Sequence, residues 1–267
     1  MKTIKNNEKK YFQEKIEKVF KRMLLNIRFI VNSLALNKIS MKNIEQIRDK
    51  NKGDTIFMAG SGPSLDTYPD DFLQGKISMT LHLAFLKFPN PTYAHISEAD
   101  RIQWLKNNRP DFFEIQGLFN NPFYPLVDPN SILKNVGNIS PYFLKYNPKR
   151  LKIKNIEKQI VSALTGKNIR YSSNGTCLHT GIWCALILGF KEINLIGCDF
   201  SESEGKDYCS LGALGNERVP TKIFYKDAYH RMQVFTEEII KMCKKYNIII
   251  NRFSDYKNYQ DRLIKIF

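Results

Sequence analysis

The clearest pattern of hydrophobic and polar positions runs over residues 171–200. Apolar residues between 178 and 188 recur at roughly helical spacing, and Gly189 is a typical helix-ending residue before a turn at Lys191-Glu192. An apolar run at 193–197 follows, so the pattern predicts a helix, a tight turn and a buried strand. Asp199 comes directly after that strand. Because open α/β sheets bind ligands at the carboxyl ends of their strands, we predict a ligand pocket that includes Asp199.

A second strand is predicted at residues 55–59, and it runs directly into Gly60-Ser61-Gly62-Pro63-Ser64. Glycines let the backbone come close to a phosphate or a sugar, and Ser61 and Ser64 add hydroxyl groups. The run is not GxGxxG, because Leu65 takes the place of the last glycine, and no Gly-Lys-Ser/Thr follows as in a P-loop. A nucleotide-binding loop and an ordinary turn both remain compatible with this stretch.

Further strands alternate with helical patterns along the rest of the chain. One predicted strand, 77–83, ends near His82, and another, 92–96, ends at Ser97. An amphipathic helix is predicted at 225–246, and a short strand follows it. Alternating strands and helices predict an α/β domain with a mostly parallel sheet and helices on both faces, which we place at residues 53–267.

The polar stretch after Asp199 predicts a mobile lid over approximately residues 201–229. His230 stands just past it, near the start of the predicted helix. A lone histidine in such a place is more often structural than catalytic. Its position beside a lid and a candidate nucleotide loop nevertheless makes His230 a candidate general base, because imidazole can take a hydroxyl proton near neutral pH.

Residues 1–50 form a segment of their own, with apolar residues at helical spacing and basic residues between them. The segment holds 13 Lys and Arg against 5 Asp and Glu, a net +8 of the chain's total of +15. One interpretation is a helix that packs on the main domain or on another subunit. The other is a basic amphipathic helix that lies on an anionic membrane surface.

Composition narrows the class of protein further. The net charge of +15 predicts an acidic partner, such as a nucleotide, an acidic glycan or an anionic membrane. No recognisable nucleic-acid-binding motif occurs, so we predict no nucleic-acid partner. The five cysteines show no CxxC spacing, which favours neither a disulfide framework nor a zinc site and fits a reducing cytoplasm. No apolar run is long enough to cross a bilayer, and we expect no signal peptide.

The stretch GSGPSL, the stretch LGFKEINLIGCDF, the lid, and a histidine before a helix ending in KKYNIII together resemble the bacterial sialyltransferases of glycosyltransferase family 42. They also resemble the related domain of flagellin-modifying, motility-associated transferases. The similarity covers roughly residues 55–258. It implies a Rossmann-like, GT-A-type domain that takes a CMP-activated nine-carbon acidic sugar and inverts the anomeric carbon. It also implies no metal and no other cofactor, and it puts the catalytic base at His230.

The resemblance also assigns other site residues. Ser61, His82 and Ser97 fall at or near the family's donor-binding asparagines, each with a changed side chain, so the donor's identity is less well specified than the fold. Thr176 is retained from the family's Arg-x-Thr-Ser-Gly run, and Cys177 replaces its serine. The two lid tyrosines that help the phosphate leave correspond to Ser201 and Tyr208, of which only Tyr208 is a tyrosine. Asp199 is either a ribose partner or a lid-ordering group.

The predicted activity is therefore transfer of a sialic-acid-like nonulosonate from a CMP-sugar to a bacterial surface glycan such as lipooligosaccharide or capsule. The protein would work in the cytoplasm, on the inner membrane if its basic segment binds lipid, and as a homo-oligomer if it assembles as family members often do. Three alternatives remain open. They are a transferase with another nucleotide-activated donor, a pterin pyrophosphokinase-like enzyme and a non-catalytic binding module.

Overall fold

A computed structural model describes residues 42–96, 107–109, 117–120, 142–144, 146–147, 150–167, 170–174, 176–200 and 222–264. The predicted N-terminal helix, Ser97, Ser201, Tyr208 and most of the predicted lid lie outside these residues. In the described part of the chain, no helix is both long enough and apolar enough to cross a membrane.

Ten strands and four α-helices make up the described fold. The strands are β1 Lys42–Asn43, β2 Thr55–Ala59, β3 Ser78–Leu81, β4 Tyr93–Ile96, β5 Gly117–Asn120, β6 Tyr142–Leu144, β7 Tyr146–Asn147, β8 Tyr171–Ser172, β9 Glu192–Ile196 and β10 Ile249–Arg252. The α-helices are α1 Ile156–Thr165, α2 Cys177–Ile187, α3 Lys222–Lys244 and α4 Tyr256–Ile264. Short 3-10 helices cover Ile44–Ile47, Pro63–Thr67, His82–Leu86 and Ile153–Asn155.

The large sheet has the order β1-β6-β5-β4-β3-β2-β9-β10, and β7 pairs with β8 separately. Every strand pair among the described residues is parallel. The run β4-β3-β2-β9-β10 is the doubly wound, Rossmann-like order. The predicted α/β class with a mostly parallel sheet is thus confirmed.

Helices cover both faces of the sheet at β2. Met58 and Phe57 are neighbours on β2, so their side chains point to opposite faces. A Cβ atom added to Gly181 of α2 would lie 2.8 Å from the Met58 side chain, which puts α2 on one face. On the other face, the Phe57 ring lies 6.0 Å from the Tyr259 ring of α4. The predicted layers are therefore present at the centre of the sheet.

Helix α2 is the buried centre of the larger core. Residues 178–187 are all buried, and a mainly apolar helix that is buried on every side is typical of a protein interior rather than a surface. Trp183, with no exposed surface, donates its indole N–H to the Ser172 carbonyl at 2.9 Å. This burial explains why the sequence over 177–196 predicts structure so clearly.

Element boundaries differ from the predictions at three places. The α/β domain includes β1 and the buried Ile44, so it begins before Gly53, the predicted boundary. Strand β3 stops at Leu81, because His82 takes a left-handed backbone with φ of 52° and opens a 3-10 helix. Helix α3 starts at Lys222 instead of residue 225, so the last eight residues of the predicted lid, 222–229, are helical.

Candidate functional site

The strand order puts the switch point of the sheet between β2 and β9, and we call the carboxyl edge at this point, with its two loops, the crevice. From β2 the chain builds β3, β4, β5 and β6 on one side, and it later returns to add β9 and β10 on the other side. Ligands of open α/β sheets bind at such a switch point, at the carboxyl ends of the strands. Two loops leave the sheet there, Gly60–Ser64 after β2 and Gly197–Phe200 after β9. The structure thus brings together the two stretches that the sequence singled out.

The two loops are in direct contact through their backbones. The Gly60 N–H donates to the Ile196 carbonyl and the Gly62 N–H to the Gly197 carbonyl, each at 2.8 Å. A Cβ atom on Gly62 would lie 2.6 Å from an Asp199 carboxylate oxygen. Gly60 and Gly62 therefore serve the close approach of the two loops, and their N–H groups are already used. Within the described residues, Ser61 is the member of this run whose N–H and hydroxyl make no hydrogen bond.

Asp199 and Ser64 hold the two loops together. Ser64 donates its N–H to Asp199 Oδ2 at 2.7 Å and its hydroxyl to Asp199 Oδ1. Burial raises the pKa of the Asp199 carboxyl, while the two Ser64 hydrogen bonds and the charge of Arg252 oppose that rise. Both predicted site residues are thus at the crevice, and in this structure the Ser64 donors point to Asp199. The roles predicted for Asp199, toward ribose or lid, stay predictions.

Arg252 is a residue of this crevice that the sequence reasoning did not select. It ends β10, donates from Nη2 to the Asp199 carbonyl at 2.9 Å, and lies 5.2 Å from the centre of the Phe200 ring. Phe200 has a φ of 54°, so Arg252 packs against a residue in the left-handed backbone region. The available signal was an arginine at the carboxyl end of a strand next to the switch point. It adds a positive charge beside the Asp199–Phe200 turn.

Thr176 and Cys177 lie at the same edge of the sheet. Helix α2 is followed by a turn in which the Lys191 N–H donates to the Asp54 carbonyl at 3.0 Å. Asp54 directly precedes β2, so the last residues of α2 lie at the amino edge of the sheet. The first residues of α2 therefore lie at the opposite, carboxyl edge. The Thr176 hydroxyl caps α2 by accepting the Leu178 N–H at 3.2 Å. Cys177 is half-buried at the first position of α2. Their predicted donor contacts stay predictions, and the cap gives Thr176 a structural role as well.

His82 also lies at the carboxyl edge, directly after β3, which neighbours β2. Its side chain is half-buried. The left-handed backbone at His82 turns the chain sharply from β3 into the following 3-10 helix. His82 is thus at the carboxyl edge, and its predicted role toward the donor stays a prediction.

His230 is exposed on α3, and its position along the helix axis, relative to the carboxyl edge of the sheet, follows from helix geometry. Helix α3 ends next to the start of β10, so its first half extends toward the carboxyl edge. His179, in the first turn of α2, contacts Thr236 of α3, which places Thr236 near that edge. His230 precedes Thr236 by six residues, which is about 9 Å along the axis at 1.5 Å per residue. The histidine thus lies farther along α3 than Thr236, in the direction of the carboxyl edge, and its role as a base stays a prediction.

No protein-family model matches the chain, and no curated protein matches it by sequence. Among solved structures, it is similar to the sialyltransferase CstII from Campylobacter jejuni in complex with cytidine-5'-monophosphate, at 18% identity and a TM-score of 0.37, covering 75% of this chain and 80% of that one. CstII with CMP-3FNeuAc matches at 14% identity and a TM-score of 0.40, covering 74% and 80%.

The MAf glycosyltransferase from Magnetospirillum magneticum AMB-1 is similar at 15% identity and a TM-score of 0.45. The match covers 85% of this chain but 42% of that protein. These structures represent the two groups that the sequence motifs resemble. Their similarity to this chain is weak, so the fold class rests on the strand order and the site on its own contacts.

Proposed function

We propose that this chain is an inverting, metal-independent glycosyltransferase that moves a sialic-acid-like nonulosonate from a CMP-sugar to a hydroxyl of a bacterial surface glycan, with His230 as the general base. One observation carries the proposal. The loop after β2 and the loop after β9 contact each other at the switch point, and the first half of α3, which bears the exposed His230, extends toward the carboxyl edge of the sheet. Nucleotide-binding α/β proteins use that place for their ligand.

The charges of the crevice support an anionic donor. Arg252 offers a guanidinium beside the Asp199–Phe200 turn, and the Ser61 N–H and hydroxyl make no hydrogen bond to described residues. A CMP-nonulosonate has a phosphate and a sugar carboxylate, and guanidinium groups bind both kinds of anion well. We assign Arg252 and Ser61 to the donor's negative charges, with Thr176, Cys177 and His82 lining the same edge.

In the proposed reaction, His230 removes the proton from an acceptor hydroxyl while that oxygen attacks the anomeric carbon from the face opposite to the phosphate. The bond between the anomeric carbon and the phosphate oxygen breaks, and its electron pair leaves with CMP. Positive charge develops on the sugar in the transition state, and negative charge develops on the departing phosphate. Cationic and hydrogen-bonding groups at the crevice stabilise that negative charge.

The first test is calorimetric binding of CMP, UDP, GDP and ATP to the purified protein, with EDTA and then with magnesium. Selective CMP binding in EDTA is the expected result. Preference for another nucleotide would replace the donor and keep the transferase, whereas ATP binding that requires magnesium would favour the pyrophosphokinase-like alternative. Binding without any transfer to a panel of acceptor glycans would favour a binding module.

The second test addresses the base. His230→Ala should abolish transfer and leave CMP affinity unchanged, since the proposed base acts on the acceptor. Arg231→Ala is the matched control, because Arg231 is the adjacent exposed residue on α3. Full activity of the His230 variant would remove it from the mechanism. Equal loss in both variants would assign the effect to this part of α3 as a whole.

A further inference from the structure

A buried histidine links the helix that carries His230 to the rest of the site. His179, in the first turn of α2, and Thr236, in the middle of α3, both have no exposed surface. His179 Nε2 lies 3.0 Å from Thr236 Oγ1. The two residues are 57 positions apart in sequence, so this contact exists only because α2 and α3 pack together.

The hydrogen bonds around the pair determine which ring nitrogen of His179 carries the proton. The Thr236 hydroxyl donates its single hydrogen to the Met232 carbonyl at 2.8 Å, so its oxygen must accept from His179 Nε2–H. On the other side of the ring, Nδ1 accepts the Asn174 N–H at 3.2 Å. The ring is therefore a neutral Nε2–H tautomer with both nitrogens in use. Burial lowers the pKa of His179 to about 4, in agreement with a neutral ring.

This arrangement joins three parts of the site. Through Nδ1, His179 contacts the backbone just before the α2 cap at Thr176. Through Nε2 it contacts α3 at Thr236, six residues or about 1.7 helical turns after His230. Thr236 also bonds back to Met232, which lies two residues from His230. A buried polar pair with all its hydrogen bonds made is rigid, because breaking one bond leaves an unpaired group in the interior.

We propose that His179 and Thr236 are positioning residues that set α3, and with it His230, at a defined height and rotation over the crevice. The inference rests on the proposed function of His230. It assigns the pair to the chemical step and not to donor binding, because neither side chain has exposed surface with which to contact a ligand. A small shift of α3 would displace the base from the acceptor hydroxyl and leave the β2 and β9 loops in place.

The first experiment compares Thr236→Val, which keeps the shape and removes the hydroxyl, with Thr236→Ser, which restores it. Transfer by Thr236→Val should fall in kcat by about 10-fold to 100-fold, the scale of a base misplaced by about 1 Å. The donor KM and CMP affinity should stay close to those of the wild type, and Thr236→Ser should recover most of the kcat. Parallel loss of kcat and CMP affinity would overturn the proposal.

Thr165→Val is the matched control. Thr165 on α1 bonds back to the Val161 carbonyl at 2.7 Å, as Thr236 does to Met232, but it is exposed. Its substitution should leave kcat unchanged. An equal loss of kcat in both variants would show that removing a hydroxyl from any helix has this effect, and the proposal would be wrong.

A second pair of variants tests the histidine itself. Glutamine can present its side-chain nitrogen at about the position of Nε2, whereas asparagine is too short to reach Thr236. His179→Gln should therefore keep more kcat than His179→Asn. The reverse order, or equal kcat in both, would contradict a role of the bond to Thr236.

Amide hydrogen exchange separates this inference from the proposed function. In Thr236→Val, amides of residues 229–236 should exchange faster than in the wild type and in Thr165→Val. If the wild type transfers no sugar from any CMP donor, the proposed function fails, and faster exchange still shows that the pair holds α3. Unchanged exchange would overturn the positioning role whether or not transfer is found.

Discussion

Asp199 shows how one side chain joins two loops that are far apart in sequence. Its carboxylate takes both the N–H and the hydroxyl of Ser64, 135 residues earlier in the chain. A hydrogen bond to a carboxylate is worth more than a neutral one, and removing the acceptor leaves the two donors of the half-buried Ser64 unpaired. Asp199 therefore contributes to the shape of the crevice before any ligand binds.

Asp199→Ala should lower the free energy of unfolding by about 1–3 kcal/mol, since the Ser64 N–H loses its acceptor. Ser64→Ala removes only the hydroxyl bond and should cost about 1 kcal/mol. The double variant should cost less than the sum of the two, because both single changes remove the same contact. Denaturant unfolding measures all three, with Asp71→Ala at an exposed site as the control. Strictly additive costs would show that the two residues do not interact.

At the scale of elements, the glycines of the β2 loop and the glycine of α2 meet different kinds of neighbours. A Cβ atom on Gly60 would collide with the Gly197 carbonyl, which is backbone, and would lie 2.8 Å from Cys198 Sγ. A Cβ atom on Gly181 would lie 2.8 Å from the ends of the Leu81 and Met58 side chains. The Gly197 carbonyl cannot move without breaking its hydrogen bond to the Gly62 N–H, whereas the ends of the Leu81 and Met58 side chains can rotate away.

Gly60→Ala should therefore cost about 1–3 kcal/mol of unfolding free energy, the usual cost of overpacking, and it should weaken nucleotide binding by separating the loops. Gly181→Ala should be nearly neutral, because alanine gains about 1 kcal/mol of helix propensity, which offsets the side-chain movement. Unfolding in urea and CMP calorimetry on both variants check this. Similar costs in the two variants would mean that the loop contact is not tight.

At the scale of the whole molecule, the stability of the fold should depend on pH through His179. Burial lowers the pKa of His179 from 6.5 to about 4. Between these two pH values, His179 is therefore mostly protonated in the unfolded chain and mostly neutral in the folded chain. Stability is therefore lost as pH falls from about 6.5 to about 4, and the loss levels off below the folded pKa. The raised pKa of Asp199 acts in the opposite sense, because its folded state takes up a proton more readily than the unfolded chain.

Comparison of the wild type with His179→Gln isolates this contribution. Between pH 7 and pH 4 the wild type should lose up to about 3 kcal/mol of unfolding free energy more than the variant, at about 1.4 kcal/mol per pKa unit. His230→Gln is the matched control for loss of a histidine, at an exposed position. Parallel pH profiles of the wild type and His179→Gln would show that His179 does not resist protonation in the folded protein.

Much of the fold followed from local patterns. The helix, turn and strand over 177–196 agree with the prediction to within a residue or two, because periodicity and Gly189 act over short distances in the chain. The α/β class followed from the alternation of these elements. The strand after residue 77 ended earlier than predicted, because the backbone reverses at His82. Hydropathy does not report a single residue in a left-handed conformation.

The sequence by itself determined the helices, most strands and the two stretches that flank the crevice, since each depends on neighbouring residues. Only the tertiary structure decided that β2 and β9 are adjacent, that the glycine N–H groups face β9, and that Asp199 binds Ser64. It also brought Arg252 to Asp199 and His179 to Thr236. These contacts join residues 53 to 137 positions apart, and no local propensity selects such pairs. Packing of the sheet and its helices does, because it decides which distant surfaces are buried together.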